Sequence, residues 1–414
     1  MLTKEEQRDV HLPEHVVLNI LCRLPLKSLI RFTCVSKRWR SVIISDPQFA
    51  NSHFQLAASQ LRRNVLISTH PILISKGTLG TTHTMLPSRF HSLDDDFSVR
   101  SLTFPSEPNR DIVVMGSCNG LVVFGKFYRH ALVPLGQLYC DYYKTLGIWN
   151  PSTGFFRNIP SPSLQIGMIK LTDEKKERHM SCVYYGFGQV SASGDYKFVV
   201  IPNFGGFMEV QVFSVRTNCW KVVKAPYLSP YRLWSKQWGT YSNGAVHWVS
   251  HREPGIFEPS VYAFDLANEE FREMPLPVLS HNEDGMKMTQ VRTPVLVGGC
   301  LCVMFQDFDE CSEFWAMKEY GVPASWVKLF CFNVRDLPVV FAPFFSCYYW
   351  DPIFIAEDGT VVIKLHKKKE LVRIKCHKEE KPVCTERYGL EEVPGFKCLF
   401  DASLYDETLV SVPE

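Results

Sequence analysis

Residues Gly116-Ser117-Cys118-Asn119-Gly120 place a thiol between two glycines in the G-x-C-x-G spacing of a nucleophile elbow. Such an elbow turns sharply from a strand into a helix, exposing the sulfur to a neighbouring base that takes its proton. Here the run follows the strand-like residues 112–115 but leads into Leu121-Val122-Val123-Phe124, four strand formers. The spacing therefore predicts a hairpin turn around an inert, buried thiol, and no interval along the chain marks a histidine base with an orienting carboxylate. His247 and His251 stand at H-x-x-x-H spacing, which on a helix would aim both imidazoles at one metal ion. In the strand-like run they occupy, a period of two sets them roughly 13 Å apart, too far for joint ligation. Cys300 and Cys302 share one side of an apolar strand and read as core. There is no P-loop and no G-x-G-x-x-G, and Gly205-Gly206 reads as a turn. No catalytic, metal-ligating or cofactor-binding residue is assigned.

Binding chemistry is better represented than reaction chemistry. Tyr231, Trp234 and Trp238 cluster in a long connection, residues 228–241, where large rigid aromatics could contact a target protein; packing between strands is the competing use. Six basic residues and no acidic ones lie within residues 23–40, and they read as a solvated helix face rather than a nucleic-acid contact. Lys367-Lys368-Lys369 reads as a charged hairpin tip before it reads as a nuclear address, and Asp94-Asp95-Asp96 as a solvated loop.

The elements that must hold these groups are of two kinds. The chain has 414 residues, 46% hydrophobic and 21% charged, as expected of a globular protein with more than one domain. A formal net charge of +2 supplies no bulk field for nucleic acid or anionic lipid, so neither partner is expected. The 29 Phe, 16 Tyr and 9 Trp favour strands. No apolar stretch has the length of a membrane span, and the charged opening residues lack a secretory pattern, which predicts a cytoplasmic or nuclear protein or both. The 14 cysteines form no C-x-x-C pair, so neither a disulfide framework nor a zinc ribbon is expected.

Residues 11–58 have helical spacing. Val16, Val17, Ile20, Leu21 and Leu24 form one face of a helix entered through Leu12-Pro13 and stopped at Pro25. Leu29 and Phe32 mark a second helix, and Val35, Trp39, Val42 and Ile43 a third. Asp46-Pro47 caps a fourth, with Phe49, His53 and Phe54 inward. A unit this small buries little surface by itself, so it needs a partner or the rest of the chain.

Residues 64–412 change to strand spacing. A strand–turn–strand pattern recurs with Trp149, Phe213, Phe264, Trp315 and Ile363 as equivalent positions, at intervals of 64, 51, 51 and 48 residues. Asn-Gly, Gly-Gly or Asp-Gly pairs precede each hairpin. A period near 50 with about four strands per unit predicts a β-propeller of kelch-like blades, with a β-sandwich as the alternative. Five units are visible, and residues 64–104 with 383–412 are expected to supply a sixth or shared closing blade.

The helical segment resembles an F-box: Leu12-Pro13, Ile20, Leu24-Pro25, Leu29, Val35, Trp39 and Phe49 agree with that family's pattern in type and order. The strand region resembles the plant F-box-associated interaction domain, through WNPSTGFFRNIP, NGAVHWV, FDLANEEFREMPLP and FWAMKEYGVPASWVKLF. The resemblance implies a substrate-recognition subunit of an SCF-type ubiquitin ligase. Leu12, Pro13, Ile20, Leu24, Pro25, Leu29, Val35 and Trp39 would dock on a Skp-family adaptor, and through it on cullin and RING subunits. The β domain would hold an unidentified protein substrate for ubiquitylation and proteasomal degradation, with no cofactor and no catalysis of its own. The alternatives are an F-box scaffold without a ubiquitylation role and an enzyme on a propeller scaffold.

Overall fold

The computed structural model describes residues 12–57, 63–77, 80–106, 112–127, 143–162, 182–203, 210–223, 238–251, 259–277, 290–306, 311–333, 336–337, 350–366, 369–376, 381–390 and 397–412. Four helices come first: α1 (Glu14–Leu21), α2 (Leu26–Phe32), α3 (Lys37–Ser45) and α4 (Pro47–Ala57). Pro13 and Pro25 stand immediately before α1 and α2, where a missing N–H leaves no helical bond unmade. Ser36 caps α3 by accepting from the Trp39 amide at 3.1 Å. The Asp46 carboxylate caps α4 by accepting from the Gln48 and Phe49 amides at 2.8 and 3.2 Å.

Two boundaries differ from the spacing. Leu24 lies beyond α1 in a tight turn, its amide on the Leu21 carbonyl at 3.0 Å, because the residue before a proline is pushed out of helical conformation. Val35 precedes the Ser36 cap and so stands outside α3.

Among the described residues twenty-five strands follow, arranged in six sheets. Blade 1 contains β1 (Arg63–Gly77), β3 (Arg89–Leu93) and β4 (Val99–Leu102), with β2 (Gly80–Met85) extending the far half of β1. Blade 2 is β5 (Ile112–Cys118), β6 (Leu121–Phe127), β7 (Tyr143–Trp149) and β8 (Phe156–Ile159). Blade 3 is β9 (Cys182–Val190), β10 (Asp195–Asn203), β11 (Val210–Ser214) and β12 (Cys219–Val223). Blade 4 is β13 (Thr240–Ser242), β14 (Ala245–His251), β15 (Pro259–Asp265) and β16 (Glu270–Met274). Blade 5 is β17 (Gln290–Val297), β18 (Cys300–Gln306), β19 (Cys311–Met317) and β20 (Trp326–Asn333). Blade 6 is β21 (Trp350–Ile355), β22 (Thr360–Leu365), β23 (Glu370–Lys375) and β24 (Val383–Gly389). The last strand, β25 (Lys397–Asp406), pairs antiparallel with β1 from Arg63↔Asp406 to Ile72↔Lys397 and becomes the inner strand of blade 1.

This is a six-bladed propeller, and six separate sheets, five of four strands and one of five, rule out the sandwich alternative. The closing blade is assembled from both ends of the strand region, as the sequence predicts. Its C-terminal contribution is narrower than residues 383–412, however: β24 completes blade 6 and only β25 crosses to blade 1.

Every blade is covered on both faces, which is why its central strands read as nearly continuous apolar runs. In β10, Phe198 and Val200 pack toward blade 2 while Val199 and Ile201 pack toward blade 4. The same two-sided burial repeats around the ring and yields six inter-blade cores.

Alternating strand direction sorts the connections onto two faces. The turn face carries Asn119-Gly120, Asn243-Gly244 and Gly298-Gly299, all at positive φ, and Gly359 at φ 84°. It also carries the start of β1 and the end of β25, so the helical unit joins here. The opposite, loop face is where strands leave for every blade-to-blade connection and for the middle connection of blades 2 to 6. Lys367-Lys368-Lys369 falls between β22 and β23 on this face, with Lys367 and Lys368 outside the described residues.

At Gly120 (φ 79°) an added Cβ would meet Thr408 Oγ1 at 2.2 Å, whereas at Gly244 (φ 74°) it would meet open space. Gly244→Ala is therefore expected to cost about 1 kcal/mol from backbone strain alone. Gly120→Ala should cost a further ~1–3 kcal/mol from overpacking. Urea unfolding of both variants checks the difference, and equal losses would contradict the placement of Thr408.

Candidate functional site

The helical unit has a small core, Leu21, Leu29, Ile43, Phe49 and Ala50, with Leu18, Leu24, Phe32, Trp39 and Val42 packed around it. Trp39 is half-buried, with its ring edge-on to Phe32 at 5.6 Å. What this core leaves outside is unusual. Five of the ten large apolar side chains exposed among the described residues belong to this short unit: Leu12, Ile20, Val35, Ile44 and Leu56. Leu12 is 56% exposed, Ile20 49% and Val35 62%; Pro13 and Pro25 are exposed as well, and Leu24 is half-buried. An exposed Glu14–Arg38 ion pair links the start of α1 to the start of α3. Scattered apolar residues are ordinary on a surface, but a concentration this dense makes the unit a candidate docking face. Leu29 departs from the expectation: it is 0% exposed and sits inside the unit, where it supports the face rather than forming it.

A second candidate lies at the hub of the ring. A cavity of about 380 Å³ is lined by inner strands of blades 1, 2, 5 and 6, by residues 238–241 of blade 4, and by Lys364 and His366 from the second strand of blade 6 and its end. One wall, from blades 1 and 6, is charged. Lys364 Nζ donates to Asp401 Oδ1 at 3.0 Å and stands 4.7 Å from the Phe400 ring centre. His366 Nε2 lies 2.8 Å from Asp351 Oδ2. Across from them stands Trp238, half-buried, its ring 4.9 Å from that of Tyr185, next to Gly239, whose amide donates to the Tyr185 carbonyl at 2.8 Å. Trp238 thus joins blade 4 to blade 3 and faces the hub at once; Tyr231 and Trp234 lie outside the described residues. These four polar residues escaped sequence reasoning because Asp351, Lys364 and Asp401 each stand between apolar neighbours and His366 merges with the lysine run that follows it. Their one local signal is a charged side chain at an inner position of an otherwise buried strand.

Reaction chemistry is spent elsewhere. Cys118 ends β5 and leads into β6 through the Asn119-Gly120 turn, and burial pushes its thiol well above the usual range. The Ser117 hydroxyl donates to the Leu404 carbonyl. Cys302 is buried in the blade 5 core, its thiol likewise pushed up by burial. Gly205-Gly206 lies outside the described residues. His247 has both ring nitrogens engaged: Nδ1 donates to the Thr240 carbonyl at 3.0 Å and Nε2 accepts from the Tyr320 hydroxyl at 2.7 Å. No helix among the described residues is long and apolar enough to cross a membrane.

Comparison with known proteins agrees with both halves. Residues 97–412 match the family described as F-box associated beta propeller domain, and residues 10–50 match the F-box domain. The chain is 31% identical over 340 residues to the F-box protein CPR1 of Arabidopsis thaliana, covering 77% of this chain and 72% of that protein. It is 27% identical to the F-box/kelch-repeat protein At3g23880 of the same plant, covering 79% of this chain and 81% of that protein. With F-box protein At4g22390, also from Arabidopsis thaliana, it shares 26% identity over 77% of this chain and 73% of that protein.

Burial is the main reason His247 favours its neutral form, helped by the nearby Arg272 and opposed by the Thr240 bond, which brings its pKa from 6.5 down to about 4. A pKa lowered on folding adds stability that is complete above the unfolded value and is lost as pH falls through the folded one. The chain should therefore lose about 3 kcal/mol from this ring between pH 6.5 and about 4. A His247→Asn variant, less stable at neutral pH, should decline more shallowly by that amount in chemical unfolding at stepped pH; parallel declines would contradict the assignment.

Proposed function

Because this chain belongs to the F-box proteins that carry an F-box-associated β-propeller domain, we propose that it is the substrate receptor of an SCF-type ubiquitin ligase. The observation that carries the reading is the exposed apolar face of the helical unit, built from Leu12, Pro13, Ile20, Pro25 and Val35 with Leu24 and Trp39 at its edge. A Skp-family adaptor covers that face and ties the receptor to cullin and RING subunits. Burying these side chains supplies the affinity, at about 25 cal/mol per Å² of apolar surface before the costs of association.

The propeller holds the client. We place the client on the loop face, because the helical unit joins the opposite face and the connections that differ most in length leave from this one. Trp238 reaches the hub from that side, and Tyr231 and Trp234 belong to the same connection. The receptor has no reaction of its own: it raises the local concentration of client lysines near a charged conjugating enzyme, and ubiquitylation followed by proteasomal degradation proceeds from proximity. Buried, protonated Cys118 supports this non-catalytic reading. The cytoplasm or nucleus suits a chain whose described cysteines are all free thiols.

Ile20→Asp and Val35→Asp should each weaken binding of a purified Skp-family adaptor tenfold or more while leaving the melting temperature within about 2 °C, since both positions are exposed. Leu29→Ala should instead destabilise the helical unit by about 2–5 kcal/mol. Calorimetric titration and thermal unfolding separate the two effects, and adaptor affinity unmoved by both aspartates would sink the docking face.

A further inference from the structure

The helical unit is too small to complete its own core, and the chain completes it from the far end. After β25 reaches the turn face at Asp406, residues 407–412 run on between the helices and the ring. Leu409, 1% exposed, is a member of the helical core beside Leu21, Leu29 and Phe49. Its neighbours in alternation, Val410 and Val412, turn the other way into the core between blades 2 and 3, where Phe54 of α4 also packs. The segment is thus a layer with one apolar surface in each domain.

Its backbone is fixed as well as its side chains. Asn150, 0% exposed at the end of β7, donates through Nδ2 to the carbonyls of Thr408 and Val410 at 3.0 and 2.8 Å. Its Oδ1 accepts from the Ser152 amide at 2.8 Å, so the amide orientation is set by three bonds. Thr408 Oγ1 donates to the Asn119 carbonyl at 2.9 Å, at the turn where Gly120 leaves room for it. Glu407 pairs with Arg100 at 2.9 Å. These bonds anchor the segment to the ring, and Leu409 projects from that anchor into the helices.

We propose that residues 407–412 are a strap that completes the helical core and holds it at a fixed attitude to the propeller, making Leu409 and Asn150 positioning residues for adaptor docking. The proposal rests on the adaptor-binding reading above. Loosening the strap lowers the fraction of helical units in docking-competent form, and the apparent adaptor affinity falls by that fraction.

The test compares the full-length chain with Leu409→Ala, Leu409→Met and Asn150→Ala, titrating each with a purified Skp-family adaptor and following amide hydrogen exchange in the free proteins. Leu409→Ala should weaken adaptor binding at least fivefold and speed exchange in α1 to α4, with blades 3 to 6 unchanged. Leu409→Met should return both readouts to within twofold of the parent. Asn150→Ala, which removes the bonds to the Thr408 and Val410 carbonyls, should reproduce the helical effect, and it carries the test alone if Leu409→Ala does not fold. Parent-like affinity and helical exchange in both alanine variants would overturn the strap while leaving the adaptor reading intact. Failure of the parent chain to bind the adaptor would overturn that reading instead.

Discussion

The antiparallel pairing of β1 with β25 is the constraint on which the rest of this molecule depends. Ten residue pairs, Arg63↔Asp406 through Ile72↔Lys397, join strands that are more than 300 residues apart in sequence. Without them blade 1 lacks its inner strand, and the ring has two open edges with unpaired backbone groups. The same pairing delivers both ends of the propeller to one face. The helices enter there and the last residues leave there, so the two can meet. Closing the ring and assembling the helical core are consequences of one strand register.

That geometry divides the labour of the chain. The turn face is crowded with glycine-containing hairpins, a buried asparagine and the strap, and it leaves little freedom for variation. The loop face carries the connections that differ most in length, which is where a receptor can change its client without changing its scaffold. The hub between them holds the Lys364–Asp401 ion pair and the His366–Asp351 contact, so the nearly buried Lys364 enters it with a carboxylate beside it. Orphan charge there would cost far more than the pairs return.

Much of this was legible in the residues. The Asn-Gly and Gly-Gly turns have the positive φ their types require, and the 51-residue spacing of Phe213, Phe264 and Trp315 follows the third strands of blades 3 to 5, whereas Ile363 falls on the second strand of blade 6 and is not their equivalent. Asp46 marks the start of α4 by a local hydrogen bond, which sequence spacing reflects directly, whereas the Ser36 cap puts the start of α3 after Val35, which the apolar spacing includes. What stayed hidden is non-local. β24 and β25 are both amphipathic strands near the end of the chain, and nothing in either says that one completes blade 6 while the other crosses to β1. Leu29 fits a docking pattern and a core pattern equally well, and only packing separates them. Leu409 lies in a short apolar segment whose partner residues are spread between positions 21 and 50, beyond the reach of any periodicity.

The central claim is that a partner protein covers the apolar face of the helices, and the heat-capacity change of that association measures it most directly, because burial of apolar surface makes this quantity negative. Titration of the full-length chain with a Skp-family adaptor at several temperatures should give one-to-one binding with a clearly negative heat-capacity change. Binding without such a change, or no binding at all, would contradict the account.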